Sequence, residues 1–397
     1  MHILLAQFYS RTPAPDYDEM AAALRSWGHR VWVGTPNING DVEWKDGPRI
    51  VSVQRGPAHL TPLVRQIRPF AMAASRVAAI RFVLRVRSFI SHSGADIVQV
   101  NPPAYAFLFP LLISRRTRFI LDVRQIGEVA GGGVMGRLRN WRTRIGLRLN
   151  AWLFYDHACF ATEAAARRVL GERWPKWATV HRVGQGPGFL NHRWPASVQE
   201  DRSSPVRFIY LGTISRVRKL EQILHALRWV LQREKNFAVD FVGPDEAEGF
   251  YHRLVGELNL SSIVTVKPPI RYQEVPQMLA SYDVALAYVP PVPDWRYQPT
   301  LKILEYRALG MPIIATDNEP NREIVQDGVN GILIQDSVES LGNAMLRFVT
   351  DRVFLHQCQT NARRMRRGIT WSDSAKRYEQ VVYRKFLIEG GDCPEKS

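Results

Sequence analysis

Residues 297–316 read YQPTLKILEYRALGMPIIAT. A short amphipathic stretch carries one carboxylate, Glu305, and gives way at ALGMP to an apolar run. That order suits a buried helix followed by a buried strand, the repeating unit of a parallel α/β sheet. A lone carboxylate at the head of such a helix needs a reason.

The same unit recurs on both sides. Upstream, VRFIYLGTI, FAVDFVG, SIVTVKPP and DVALAYV read as strands, and KLEQILHALRWVLQ, AEGFYHRLVGEL and QEVPQMLASY as helices. Downstream, WSDSAKRYEQVVYRKFLIEG reads as a terminal helix. The first half opens with a strand, helix and strand over HILLAQF, DYDEMAAALRSWGH and RVWVGTP, with Gly28 where a helix C-cap belongs. ADIVQVNPP and RFILDVRQ read as buried parallel strands, and WATVHRVGQG as a strand closing on glycines. The polar stretch NHRWPASVQEDRSSP reads as a linker. These patterns predict an α/β chain with two doubly wound, Rossmann-like domains facing a cleft. The expected bounds are 1–195, 196–370, and a 371–397 helix and tail packing back on the first domain.

Composition narrows the function. Cys159, Cys358 and Cys393 are too few and too scattered for a disulfide framework or a zinc site. MHILLAQF lacks the basic start of a signal peptide, and the longest apolar run, AYAFLFPLLI, is too short to span a bilayer. The cytoplasm is the expected location. Residues 1–195 hold 27 Lys or Arg against 12 Asp or Glu, whereas residues 196–397 hold 26 against 25. So uneven a distribution suggests that the first half faces an anionic partner. The arginines of VRQIRPFAMAASRVAAIRFVLRVRSF (Arg65, Arg68, Arg76, Arg81, Arg85, Arg87) alternate with apolar residues. GRLRNWRTRIGLRLNAW adds Arg137, Arg139, Arg142, Arg144, Arg148 and Trp141. Such helices suit peripheral contact with anionic lipid at the inner face of the cell membrane; a solvated basic face is the plainer alternative. Nucleic acid is not expected, because the arginines lack interleaved stacking aromatics.

Four segments in order resemble retaining glycosyltransferase family 4, of the GT-B fold: YLGTISRVRKLEQILHAL, LKILEYRALGMPIIAT, EPNREIVQDGVNGILI and TWSDSAKRYEQVVY. The resemblance covers almost the whole chain and implies transfer of a sugar from a nucleotide-diphosphate donor to an acceptor hydroxyl. It implies no metal and no cofactor, because protein cations take the charge that builds on the departing diphosphate. By that resemblance Gly212 admits the phosphate, Arg218 takes the place of the family's lysine, and Thr213 stands where the family has arginine. Arg216 is then the expected substitute, with Lys219 beside it. Glu305 matches the glutamate that accepts the ribose hydroxyls, a task for a group with two acceptor oxygens. The family's second glutamate falls at Tyr297. A branch with P-x-K-x-x-E-Y is matched loosely by Pro299, Thr300, Lys302, Glu305 and Tyr306, so Lys302, Leu301 and Tyr297 are donor-side candidates.

On the acceptor side, Arg124 falls at the position of the family's frequent histidine, with Gln125 next to it in DVRQIGE; a structural arginine competes with that reading. Gly184 matches the hinge-side turn. Asp16 reads first as a helix cap and second as a base. Gly131–Gly133 is a loop beside the expected cleft. The expected partners are a nucleotide sugar and a glycan or lipid-linked acceptor, in assembly of bacterial surface polysaccharide or lipopolysaccharide. Two alternatives stand beside this: a nucleotide-sugar epimerase, and a non-catalytic lipid-binding relative.

Overall fold

The short apolar runs form two sheets. A computed structural model describes residues 1–7, 15–36, 42–46, 49–54, 84–101, 117–124, 126, 128, 133–194, 204–291, 293–297 and 299–388. The chain divides into one unit of Met1–Gly184 with Trp371–Ser397 and a second of Gln185–Thr370.

The first unit holds β1 (His2–Gln7), β2 (Arg30–Pro36), β3 (Val42–Asp46), β4 (Arg49–Gln54), β5 (Ile97–Asn101), β6 (Arg118–Val123), β7 (His157–Phe160) and β8 (Ala178–Val180). Their order is β4-β3-β2-β1-β5-β6-β7-β8. From β2 through β8 across the sheet the pairing is parallel. The β3–β4 hairpin joins β2 antiparallel, an addition to the doubly wound pattern that the sequence does not announce. Two residues separate β3 from β4, and a parallel crossover needs a dozen or more.

The terminal segment completes this unit. It runs as a helix over Trp371–Tyr378, a π-helical turn over Glu379–Tyr383, and a last helical turn over Arg384–Ile388. Tyr378 and Tyr383 are five residues apart. In an α-helix they would diverge by about 140°, but the wider π turn turns both toward the sheet. Tyr378 donates to Asp122 on β6 at 3.2 Å, and Tyr383 donates to Gln99 on β5.

The second unit holds β9 (Val206–Leu211), β10 (Phe237–Val242), β11 (Val264–Lys267), β12 (Val284–Ala287), β13 (Ile313–Thr316) and β14 (Gly331–Ile334), all parallel, in the order β11-β10-β9-β12-β13-β14. Apolar clusters cover both faces of this sheet. The chain enters this unit at Gln185, not after residue 195. The reason is Phe189, which is 1% exposed and packs with Ile209, Val275 and Ile303 of the second core. Burying such a ring stabilises by roughly 2–3 kcal/mol, so its flanking residues belong with that core.

Candidate functional site

In the second sheet β9 lies between β10 and β12, and the winding of the chain reverses between β9 and β12. Crevices of parallel sheets open at the C-terminal strand ends at such a reversal. The loop after β9 and the segment after β12 therefore border the expected position of a ligand.

Gly212 follows β9 with a φ of 131°, in the region open to glycine. A Cβ there would sit 3.2 Å from Lys302 Nζ, and a Cβ on Gly243 would sit 2.2 Å from the Gly212 carbonyl oxygen. The two glycines let a lysine and two strand ends crowd together.

Lys302 lies in the first turn of the helix Leu301–Leu309, where the helix dipole disfavours a cation. It is buried, its Nζ is 3.5 Å from the centre of the Tyr210 ring, and Nζ has no hydrogen-bond partner among the described residues. Burial, then the neighbouring Arg218, push its pKa well down, while Glu305 pulls it up. Arg218 ends the tight turn Arg216–Arg218 and lies over Trp295 at 4.5 Å. One of its terminal nitrogens is buried and unpartnered among the described residues. Trp295 belongs to the short helix Pro293–Arg296 after β12. Two cations from different elements thus converge beside Gly212 with hydrogen-bond capacity unspent. Leaving such groups unpaired costs free energy, which an anionic ligand would recover.

Glu305 is buried on the same helix. Burial pushes its carboxyl up to about 7, against the pull of a Tyr272 hydrogen bond and of Lys302. The sequence places it at the helix head; in the structure it is instead the fifth of nine residues, and the first turn carries Lys302 and no acid. The next residue, Tyr306, accepts the Leu211 backbone N–H at 3.0 Å and fixes this helix to the end of β9.

The structure therefore brings together Gly212, Arg218, Lys302 and Glu305. Arg216, expected to supply the second diphosphate cation, is exposed and stacks its guanidinium 3.6 Å from the centre of Phe250. Lys219 is exposed with a left-handed φ of 49°, which separates the basic turn from the helix Glu221–Leu231. Leu301 and Tyr297 are half-buried. Tyr210, Tyr272 and Trp295 are the residues that sequence reasoning missed; each meets the group through tertiary contact, without a local signal.

In the first unit Arg124 follows β6 and donates to Asp122 at 2.9 Å, lying over the Tyr17 ring at 4.5 Å. Asp122 also accepts from Tyr17 at 2.8 Å and Gln99 at 2.9 Å. Burial pushes its carboxyl up to about 6 against the pull of Tyr17, Gln99 and Tyr378. A small pocket at this strand end is lined by Asp122, Arg124, His181, Arg182, Trp371 and Tyr378 among others. His181 bonds Thr179 through Nε2 at 2.7 Å, and Thr179 in turn bonds His157. Burial lowers the His181 pKa to about 3, so the ring is neutral. Its Nδ1 and the Trp371 Nε1 are buried and unpartnered among the described residues. Asp16 is the second residue of the helix Pro15–Ser26, with its side chain outside the described residues. Gln125, Gly131, Gly132, Arg65, Arg68, Arg76 and Arg81 also lie outside them. Gly184 is buried at the last position of the first unit's leading segment.

Residues 196–365 match the family model described as Glycosyl transferases group 1. No curated protein matches the chain in sequence. In structure it is similar to sucrose-phosphate synthase from Thermosynechococcus elongatus, at 17% identity and a TM-score of 0.71, over 98% of this chain and 99% of that one. It is similar to HepE from Anabaena, solved with UDP and glucose, at 13% identity and a TM-score of 0.65, over 97% and 100%. A mutant of S. aureus TarM, solved with fondaparinux, α-GlcNAc-glycerol and UDP, aligns at 12% identity and a TM-score of 0.53, over 74% of this chain and 54% of that one. The chain spans about half the length of TarM. At these identities the likeness is one of fold, and the fold is GT-B, with two Rossmann-like units.

Proposed function

We propose that this protein is a glycosyltransferase that moves a sugar from a nucleotide-diphosphate donor to an acceptor hydroxyl, with retention of configuration. The observation that carries the reading is the convergence of Lys302 and Arg218, each with a buried nitrogen unpartnered among the described residues, beside Gly212 at the end of β9. Lys302 and Arg218 meet the diphosphate and stabilise the charge that builds on it as the C1–O bond breaks. They supply the charge that a metal ion brings in other enzymes. Glu305 accepts the ribose hydroxyls, which favours its ionised form. Tyr297, where the resembled family has glutamate, faces the donor sugar.

The match of residues 196–365 to Glycosyl transferases group 1 supports the activity, and the UDP complexes of HepE and TarM make UDP-sugars the first donors to try. The acceptor is a glycan or a lipid-linked glycan, taken on the Arg124 and Gly184 side at the inner face of the cell membrane. The product is surface polysaccharide or lipopolysaccharide. The excess of positive charge in residues 1–195 supports an anionic or membrane-held acceptor.

The test is a thermal-shift panel of UDP-, GDP-, ADP- and dTDP-sugars. A ligand at about 100 times its dissociation constant adds about 2.7 kcal/mol of stability. One nucleotide class is expected to raise the melting temperature of the wild type and not of Glu305→Ala. No shift with any of them removes the reading.

A further inference from the structure

The helix Val134–Leu153 has two apolar faces. Its inner face buries Leu147, Asn150 and Ala151. Glu128 fixes this side, pairing with Arg144 at 3.4 Å and with Arg168 of the helix Glu163–Leu170 at 3.1 Å. Val134, Leu138, Trp141, Ile145, Leu149 and Leu153 are exposed, from 37% for Ile145 to 71% for Val134. At about 100° per residue these six fall in one arc of about 120°, opposite the buried residues. Arg137 and Arg148 flank that arc on one side, and Arg139 and Arg142 line its other edge; all four are exposed. The 20 residues contain no Asp or Glu.

We infer that this outer face of Val134–Leu153 is a docking surface for an anionic lipid bilayer, with Trp141 and the leucines in the acyl boundary and the flanking arginines at the headgroups. A stripe of this size along one helix marks an interaction surface. Charge selects the occupant. A second copy would bring its own rows of arginine against these and be repelled, whereas anionic headgroups neutralise both rows at once. Among the described residues no helix is long and apolar enough to cross a membrane, so the helix lies on the surface. This deepens the proposed function by naming the surface at which a lipid-linked acceptor is met, and it rests on that reading for the acceptor alone.

The test is co-sedimentation of the full chain with vesicles of phosphatidylcholine alone or with about one third phosphatidylglycerol. Binding is expected only to the anionic vesicles. Leu138→Glu with Leu149→Glu should weaken it by more than tenfold, and each of Arg137→Gln, Arg142→Gln and Arg148→Gln by about fivefold. Unchanged melting shows that each variant is folded; Trp141→Ser is the milder replacement if the paired glutamates do not fold. Equal sedimentation of wild type and variants, or none with anionic vesicles, overturns the proposal. A dimer that dissociates in the glutamate variant assigns the face to a second copy instead. Nucleotide thermal shifts in the same variants should match the wild type, so a failed vesicle assay and a failed donor assignment read out separately.

Discussion

Lys302 holds its ammonium 3.5 Å from the centre of the Tyr210 ring, within a helix first turn and without a hydrogen-bond acceptor among the described residues. The ring face offers part of what water would, but the position is poor for a cation. On the proposed function a bound diphosphate offsets the cost of that position. Lys302→Met keeps the packing and removes the charge. The apoprotein is expected to melt higher by about 2–4 °C, the equivalent of about 1 kcal/mol for a unit of this size, while nucleotide-sugar affinity falls more than tenfold. Calorimetry with and without nucleotide checks both; lower melting with unchanged affinity makes Lys302 structural.

Arg218 presents a buried, unpartnered nitrogen beside Trp295. If it meets charge that develops as the diphosphate leaves, Arg218→Ala should lower kcat by about a hundredfold or more. Affinity for the unreacted donor should fall less. Single-turnover kinetics separate the two, and a loss confined to KM would count against a transition-state role.

Glu305 sets a pH dependence. Its carboxyl is raised to about 7, so the folded chain holds a proton that the unfolded chain releases near 4.3. Between those values stability falls as pH rises. Lys302 has the opposite sign: its lowered pKa leaves the folded chain with fewer protons than the unfolded one, and its contribution grows as pH rises toward the ordinary lysine range. Glu305→Gln removes the first dependence and leaves the second. Urea unfolding from about pH 5 to 8 should show the wild type losing up to about 3 kcal/mol relative to the variant. Parallel curves would mean that Glu305 is ionised throughout.

Tyr378 and Tyr383 each donate a hydrogen bond to a buried acceptor, Asp122 and Gln99. Each Phe substitution removes one hydrogen bond to a buried acceptor and should destabilise the first unit by about 1–3 kcal/mol. Hydrogen exchange in β5 and β6 should accelerate, with β9 to β14 unaffected. Equal acceleration in both units would show that the effect is not local.

The strands of both sheets were legible because buried parallel strands are short apolar runs bounded by polar residues, as in VRFIYL and RFILDV. The β3–β4 hairpin was not, because VEWKD, the β3 strand, alternates charged residues with its apolar ones. Glu305, Gly212 and Arg218 were named through the resemblance of their segments to the glycosyltransferase family. Arg216 could not be placed, since its ring partner Phe250 comes 34 residues later, and spacing along the chain does not reveal that contact. Asp122 was hidden for a similar reason: its donors Tyr17, Gln99 and Tyr378 come from three distant segments.

The segment Trp371–Ile388, with its π turn, supplies two of the hydroxyls that satisfy the first sheet. The first unit therefore cannot finish forming until the residues up to Ile388 have left the ribosome. Gln185–Thr370 is contiguous and can close its own core earlier. During synthesis the order of maturation is reversed, with the second half finished while Asp122 and Gln99 still await their last partners.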